Sequence, residues 1–197
     1  MKLHSFRGKI DLEEFLQEAA RFHGNLAPGV VLGGLMVDWA LETMAPEKIL
    51  DALVETRKCL PDAVQILTKC SIGNGWLKIL DWGKLAVTLY NKESLTGARV
   101  HLDLDKLAPY PRIKSWAMKE QSKKENPLEP LIDDMIAAGR RIFTCEGVRL
   151  ERIPETVEQY DFPSVCPQCG ETFRYGLAGM CEGCRDPFYS KDGTKAI

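Results

Sequence analysis

The sequence has no long hydrophobic run. Its most apolar stretch, Leu26 to Leu41, is interrupted by Pro28, Gly29, Gly33, Gly34 and Asp38. It falls short of the roughly 18–20 apolar residues a membrane span needs, so a buried helix is the better reading. No apolar segment of signal-peptide length follows Met1-Lys2-Leu3-His4-Ser5, and the expected location is the cytoplasm. An excess of one charge is also missing: 26 Lys and Arg stand against 28 Asp and Glu, for a formal net charge of -2. A general attraction of the whole chain to nucleic acid or an anionic membrane is therefore not expected. There is no Walker loop, no GxGxxG after a strand, no Ser-His-Asp set that can be placed, and no repeat or low-complexity tract. What is present is ordinary globular composition, 45% hydrophobic and 27% charged. The 197 residues suffice for one main domain and one small appendage.

The elements follow from local pattern. Asp11 and Glu14 have capping-box spacing, and Leu12, Phe15, Leu16, Ala19 and Phe22 then share a helical face. Gly24 can close that helix, leaving His23 at its end. Pro28 opens a second helix to about Met44, in which Gly33-Gly34 implies close packing on another backbone. Ile49 to Glu55 reads as a buried strand, and Pro61 to Thr68 as a short helix. After the Gly73-Asn74-Gly75 turn come three strand-like runs, Trp76 to Asp81, Lys84 to Tyr90 and Ala98 to Leu104, which suggest an antiparallel meander. The basic stretch Pro109 to Glu125 reads as a solvated helix or linker. A helix from Pro127 carries the apolar stripe Leu128, Leu131, Ile132, Met135 and Ile136, and Phe143 to Ile153 offers one more strand. The expected fold is α+β, an antiparallel sheet packed with helices over residues 1–160, with a small treble-clef or zinc-ribbon domain at 161–197.

Four of the seven cysteines carry the strongest chemical signal. Cys166-Pro-Gln-Cys169 and Cys181-Glu-Gly-Cys184 bring two pairs of thiols into tight turns, and four thiolates at this spacing can close a tetrahedral shell around zinc. The segment has too few large apolar residues to fold alone, so one structural ion is expected to supply the missing stability. Two redox CxxC pairs and an iron site are the alternatives. Residues 166–197 balance Arg174, Arg185, Lys191 and Lys195 against Glu171, Glu182, Asp186 and Asp192. Without a basic stripe, structural use or contact with a protein partner is favoured over nucleic acid.

Within the larger domain stand Phe22-His23-Gly24-Asn25-Leu26-Ala27-Pro28-Gly29, Val54-Glu55-Thr56 through Cys59, Asp62 to Thr68, Cys70, Gly73, and Asp81-Trp82-Gly83-Lys84-Leu85-Ala86. In these residues the sequence resembles the FmdE family of formylmethanofuran dehydrogenase proteins, most closely over about residues 10–105. The resemblance implies an α+β core, an auxiliary treble-clef finger, a homodimer, and association with molybdenum- or tungsten-dependent C1 metabolism. The family's first motif usually reads Phe-His-Gly-His-Leu-Cys-Pro-Gly; here Asn25 and Ala27 stand at the second His and the Cys. A second metal in the core would keep at most His23 and Cys59 as strong donors, and such a site is expected to be weak, altered or absent.

His23, Asn25 and Cys59 are expected to line a cleft near Pro28, with Asp62 a further candidate that helix capping also explains. His23 can equally favour the helix C-terminus, and Cys59 can be an ordinary buried thiol. Three functions are open. The first is a zinc-binding accessory or adaptor protein. The second is a metal- or thiol-dependent enzyme using His23 and Cys59 on a small C1 or pterin-like substrate. The third is a regulator that binds nucleic acid through the finger.

Overall fold

The computed structural model describes residues 1–45, 50–122, 124–153, 164–173 and 179–186. The chain divides into two compact units, Met1–Pro154 and Glu155–Ile197. In the first unit a hairpin, β1 (Lys2–Ser5) and β2 (Gly8–Asp11), leads into helix α1 (Leu12–His23). Asp11 makes no side-chain cap bond, so the expected capping box is not formed. Asp11 closes the hairpin opposite Lys2 instead, with the two charges 4.0 Å apart. Phe15 and Ala19 are buried as the stripe requires, but Phe22, at the end of that stripe, is exposed. Gly24, at φ 86°, ends the helix in the left-handed conformation that costs glycine least.

Helix α2 (Pro28–Thr43) is buried on nearly all sides and forms the axis of the core. Its glycines are there for contact. A Cβ on Gly34 would run into the Phe15 ring, and one on Gly33 would meet the Ala63 Cβ at 2.8 Å. The Phe15 ring of α1 and the Ala63 side chain of α3 (Leu60–Leu67) thus occupy space on α2 that a side chain there would fill.

The sheet contains β4 (Leu77–Ile79), β3 (Leu50–Val54), β5 (Ala86–Asn91), β6 (Thr96–Leu102) and β7 (Phe143–Arg149), in that spatial order. Antiparallel pairing joins β3 to β5, β5 to β6 and β6 to β7. The meander expected from the three runs after Gly75 is corrected at its first member. β4 does not pair with β5; it lies parallel to β3 at the sheet edge, with Ala52 opposite Leu77. Helix α3 supplies the crossover that a parallel pair needs. One sheet face, with Ala52, Val54, Val87, Leu89 and Val100, joins the core cluster that includes α2.

Helix α4 (Pro111–Met118) buries Ile113 and Ser115, so the basic stretch is a packed element with a solvated side rather than a linker. Helix α5 (Leu128–Ala138) buries Leu131, Ile132 and Met135, and an ion pair of 2.9 Å between Arg112 and Asp134 ties it to α4.

In the second unit β8 (Ser164–Val165) and β9 (Thr172–Phe173) pair antiparallel, and a single helical turn, α6 (Glu182–Arg185), follows Cys181. The hairpin straddles the first CxxC pair. A hairpin between Glu171 and Met180 would fall partly outside the described residues, as does the expected linker from Pro154 to Asp161.

Candidate active site and metal centre

Cys59 occupies the N-cap of α3 at φ 61° and ψ -50°. The N–H of Leu60 donates to the Lys58 carbonyl at 2.6 Å across it, which makes a γ-turn of the rare positive-φ kind. A cysteine held so is strained, and the surrounding bonds show what enforces it. The Glu55 carboxylate, buried, receives Arg99 through two hydrogen bonds of 2.7 and 3.0 Å. The Glu55 carbonyl accepts from the N–H groups of Trp82 and Lys84, and Arg57 grips Asp81 at 2.6 Å. The loop from Thr56 to Cys59 is thereby tied to the loop from Asp81 to Leu85. Gly29, at the start of α2, leaves space for the thiol: a Cβ there would stand 3.0 Å from Cys59 Sγ.

Helix α1 delivers its last residue to the same place. His23 Nε2 lies 3.8 Å from Cys59 Sγ, and His23 Nδ1 lies 2.5 Å from Asp62 Oδ2. Asp62 therefore holds the ring by one nitrogen while the other faces the sulfur. Burial pushes the Cys59 thiol above its ordinary value, and the charge of Asp62 adds to this while that of Lys58 opposes it. The ring nitrogen that faces the thiol is placed where it could take the thiol proton. Of the four residues expected at the cleft only Cys59 lines it: Asn25 is exposed, and His23 reaches the thiol, and Asp62 the His23 ring, without forming part of the wall. Ala27 caps α2 and offers no donor. Among the described residues, three or more metal-ligating side chains come together only in the finger, so at Cys59 a metal would find no such cluster, only the thiol and the facing nitrogen of His23.

Cys59 opens into a cleft of about 570 Å³. Its walls include Gly29, the loop from Thr56 to Lys58, Leu85, and Trp116, Lys119 and Asn126 from the end of α4 and beyond. The sequence gives no sign of this last wall, because a run of lysines on a helix looks like a solvated surface. Of the remaining cysteines, Cys70 is buried, donates to the Leu50 carbonyl and is pushed up to about 11 by burial, and Cys145 faces Thr43.

In the second unit the Sγ atoms of Cys166, Cys169, Cys181 and Cys184 all lie within 4.8 Å of one another, with Cys169 and Cys181 3.8 Å apart. Four Zn–S bonds of about 2.3 Å at tetrahedral angles would separate the sulfurs by about 3.8 Å, so the donor set fits a metal of that size. The backbone N–H of Cys181 points at Cys166 Sγ from 3.4 Å. Together with the N–H of Cys169 it brings the Cys166 thiol down to about 6. Burial, and then the neighbouring sulfurs, push Cys184 up to about 12. Four such sulfurs ionise together only around a cation.

No helix among the described residues is long and apolar enough to cross a membrane. A protein of Archaeoglobus fulgidus described as a probable S-adenosyl-L-methionine-binding protein is 36% identical over 213 residues. The alignment takes in 94% of this chain and 56% of that protein, so the chain spans little more than half of this relative's length. A tungsten formylmethanofuran dehydrogenase FmdE-like protein from Syntrophus aciditrophicus has the same fold, with a TM-score of 0.79 and 35% identity over 96% of this chain and 100% of that one. Residues 22–150, which hold the whole Cys59 cleft, match the family described as FmdE, molybdenum formylmethanofuran dehydrogenase operon, and the chain belongs to that family.

Proposed function

We propose that the core domain is a thiol-dependent acyl-transfer centre in which Cys59 is the nucleophile, His23 the base and Asp62 the group that orients it. The observation that carries this is the line Asp62 Oδ2, His23 Nδ1, His23 Nε2, Cys59 Sγ, at 2.5 and 3.8 Å, on a strained turn beside a cleft. A carboxylate on one ring nitrogen fixes the tautomer that leaves the other free to accept. As Sγ forms its bond to a carbonyl carbon, the thiol proton passes to His23 Nε2 and the carbonyl π pair moves onto oxygen. When the tetrahedral adduct collapses, the leaving group departs with that proton and the acyl group stays on Cys59 as a thioester. Water or a second nucleophile, deprotonated by His23, then takes the acyl group and returns the thiol.

The family's link to a formylmethanofuran dehydrogenase operon supports a small C1 or acyl substrate. The adaptor reading needs no Cys59 chemistry. It rests on the same link and assigns the protein's work to contacts with a protein partner. The relative from Archaeoglobus fulgidus supports a different occupant, S-adenosyl-L-methionine, for which Trp116 offers a flat apolar wall. The test is alkylation of Cys59 by iodoacetamide at pH 7, followed at the level of its peptide. His23→Ala should slow it by about tenfold and Asp62→Asn by less. Equal rates in all three proteins would reject the relay and leave the adaptor reading standing, and protection by added S-adenosyl-L-methionine would favour the second occupant.

The finger, on this reading, holds one zinc ion and serves structure or contact with a protein partner, in a protein that works as a homodimer. Purified protein should carry about one zinc per chain, and Cys181→Ser should lose it. Zinc retained by that variant would place the ion at Cys59 and His23 instead.

A further inference from the structure

The charges on the cleft wall do not cancel. Arg57 is neutralised by Asp81 at 2.6 Å, and Asp81 is the one carboxylate in the wall among the described residues. Lys58 and Lys119 line the same space, and no ion pair of either is found among the described residues. This contrasts with a chain whose formal net charge is -2. Lys58 precedes the nucleophile in sequence, and its charge already acts on the Cys59 thiol. Lys119 closes α4 in the left-handed region at φ 56°, where its N–H caps Trp116, so the turn that ends the helix also sets this residue at the cleft.

Two further residues shape the wall. Asn126 is 8% exposed, and its Nδ2 donates to the Arg112 carbonyl at 2.9 Å. A carbonyl can only accept, so this bond fixes the amide orientation and makes the other atom the oxygen. That oxygen, Oδ1, is buried and has no donor among the described residues. The oxygen is closed off from the cleft, so Asn126 shapes the wall without offering a ligand an acceptor. Trp116 comes within 4.0 Å of the space above Gly29, where Cys59 Sγ also lies, and so sets a flat apolar surface beside the nucleophile. The volume of about 570 Å³ suits a small organic molecule.

We propose that the cleft selects an organic anion: the carboxylate or phosphate of an acyl compound is held between Lys58 and Lys119, and its carbonyl is thereby presented to Cys59. This rests on the acyl-transfer reading, and two measurements separate the two claims. In the first, the zinc-loaded full chain is treated with iodoacetate or iodoacetamide and the rates at the Cys59 peptide are compared. The ratio is the readout, because any change in thiolate fraction slows or speeds both reagents alike. The iodoacetate-to-iodoacetamide ratio should exceed that of glutathione by about tenfold, and the double substitution Lys58→Gln, Lys119→Gln should return it to the glutathione value. A wild-type ratio equal to that of glutathione, or one indifferent to the double substitution, overturns the anion site even if His23→Ala slows alkylation. The second measurement does not depend on Cys59 reactivity. Inorganic phosphate and succinate are titrated separately while the amide resonances of Lys58, Lys119 and Asn126 are followed. Saturating shifts with one anion, lost in the double variant, support the site and identify it as a phosphate or a carboxylate site. No shift with either anion rejects it, whatever the fate of the relay.

Discussion

Among the described residues two histidine–aspartate pairs lie one toward each end of α2, and their surroundings differ. His4 Nδ1 meets Asp38 Oδ1 at 2.8 Å, and the backbone N–H of His4 donates to the same oxygen. Arg140 donates to Asp38 Oδ2 at 2.8 Å and also pairs with Glu42. Both carboxylate oxygens are thus occupied, and hairpin β1–β2 and the turn at Gly139–Ile142 are fastened to α2. At the other end Asp62 pairs with His23, whose second nitrogen faces a thiol at the edge of a cleft. A histidine–carboxylate pair enclosed by a guanidinium is structural. The same pair with a nucleophile on its free nitrogen can move a proton.

The largest difference should emerge in stability. Asp38→Asn turns an NH₂ toward either Arg140 or the His4 N–H, both donors, and leaves a half-buried guanidinium with one partner fewer. The cost should be about 2–4 kcal/mol. Asp62→Asn removes one bond at a site where the two side chains are 22% and 28% exposed, and should cost about 1 kcal/mol or less. Urea denaturation of the two variants measures both. Equal losses would mean that the two pairs do the same work and would undo the contrast.

Much of the architecture is legible because its signals are local. Pro28, Gly24 and Pro61 mark helix ends by their own backbone preferences, and the two CxxC turns bring their sulfurs together over few bonds. β5, β6 and β7 overlap the strand-like runs read from the sequence. The edge position of β4 is not legible, because whether a short apolar run pairs with the strand before it or the one after is decided by the α3 crossover and not by its own residues. Hairpin β1–β2 escapes a pattern search for want of length, at four residues a strand. Asp38 looks in sequence like an interruption of an apolar run, when it is the anchor for His4 and Arg140. Proximity of His23 and Asn25 in sequence points both at the cleft, but Gly24 turns the chain between them: Asn25 is left in solvent, and His23 meets the Cys59 thiol without lining the cleft. The use of Asp62 depends on how α1 packs against α3. Trp116, Lys119 and Asn126 join the site through the packing of α4, which no spacing in the sequence announces.

The smallest expected effect lies in pH dependence, where the two ends of α2 should fail in opposite directions. Burial works against the Asp38 charge, but the hydrogen bonds from Arg140 and His4 outweigh it and hold the carboxyl below its ordinary value of 3.8. Its contribution is complete above that value and is lost as pH falls through the lower, folded one. Cys59 behaves in the other sense: burial and Asp62 raise it above its ordinary 9.0, so its contribution is complete below pH 9 and is lost as pH rises through the folded value. Denaturation of the wild type, Asp38→Asn and Cys59→Ser across the pH range separates these limbs. The gap between wild type and Asp38→Asn should narrow only in acid, and Cys59→Ser should remove part of the alkaline decline while leaving the acid limb alone. Cys70, pushed up to about 11, and Tyr90, also raised by burial, keep a further part of that decline in all three proteins. An alkaline limb unchanged by Cys59→Ser would mean that the thiol is no harder to ionise in the folded protein than in the unfolded chain.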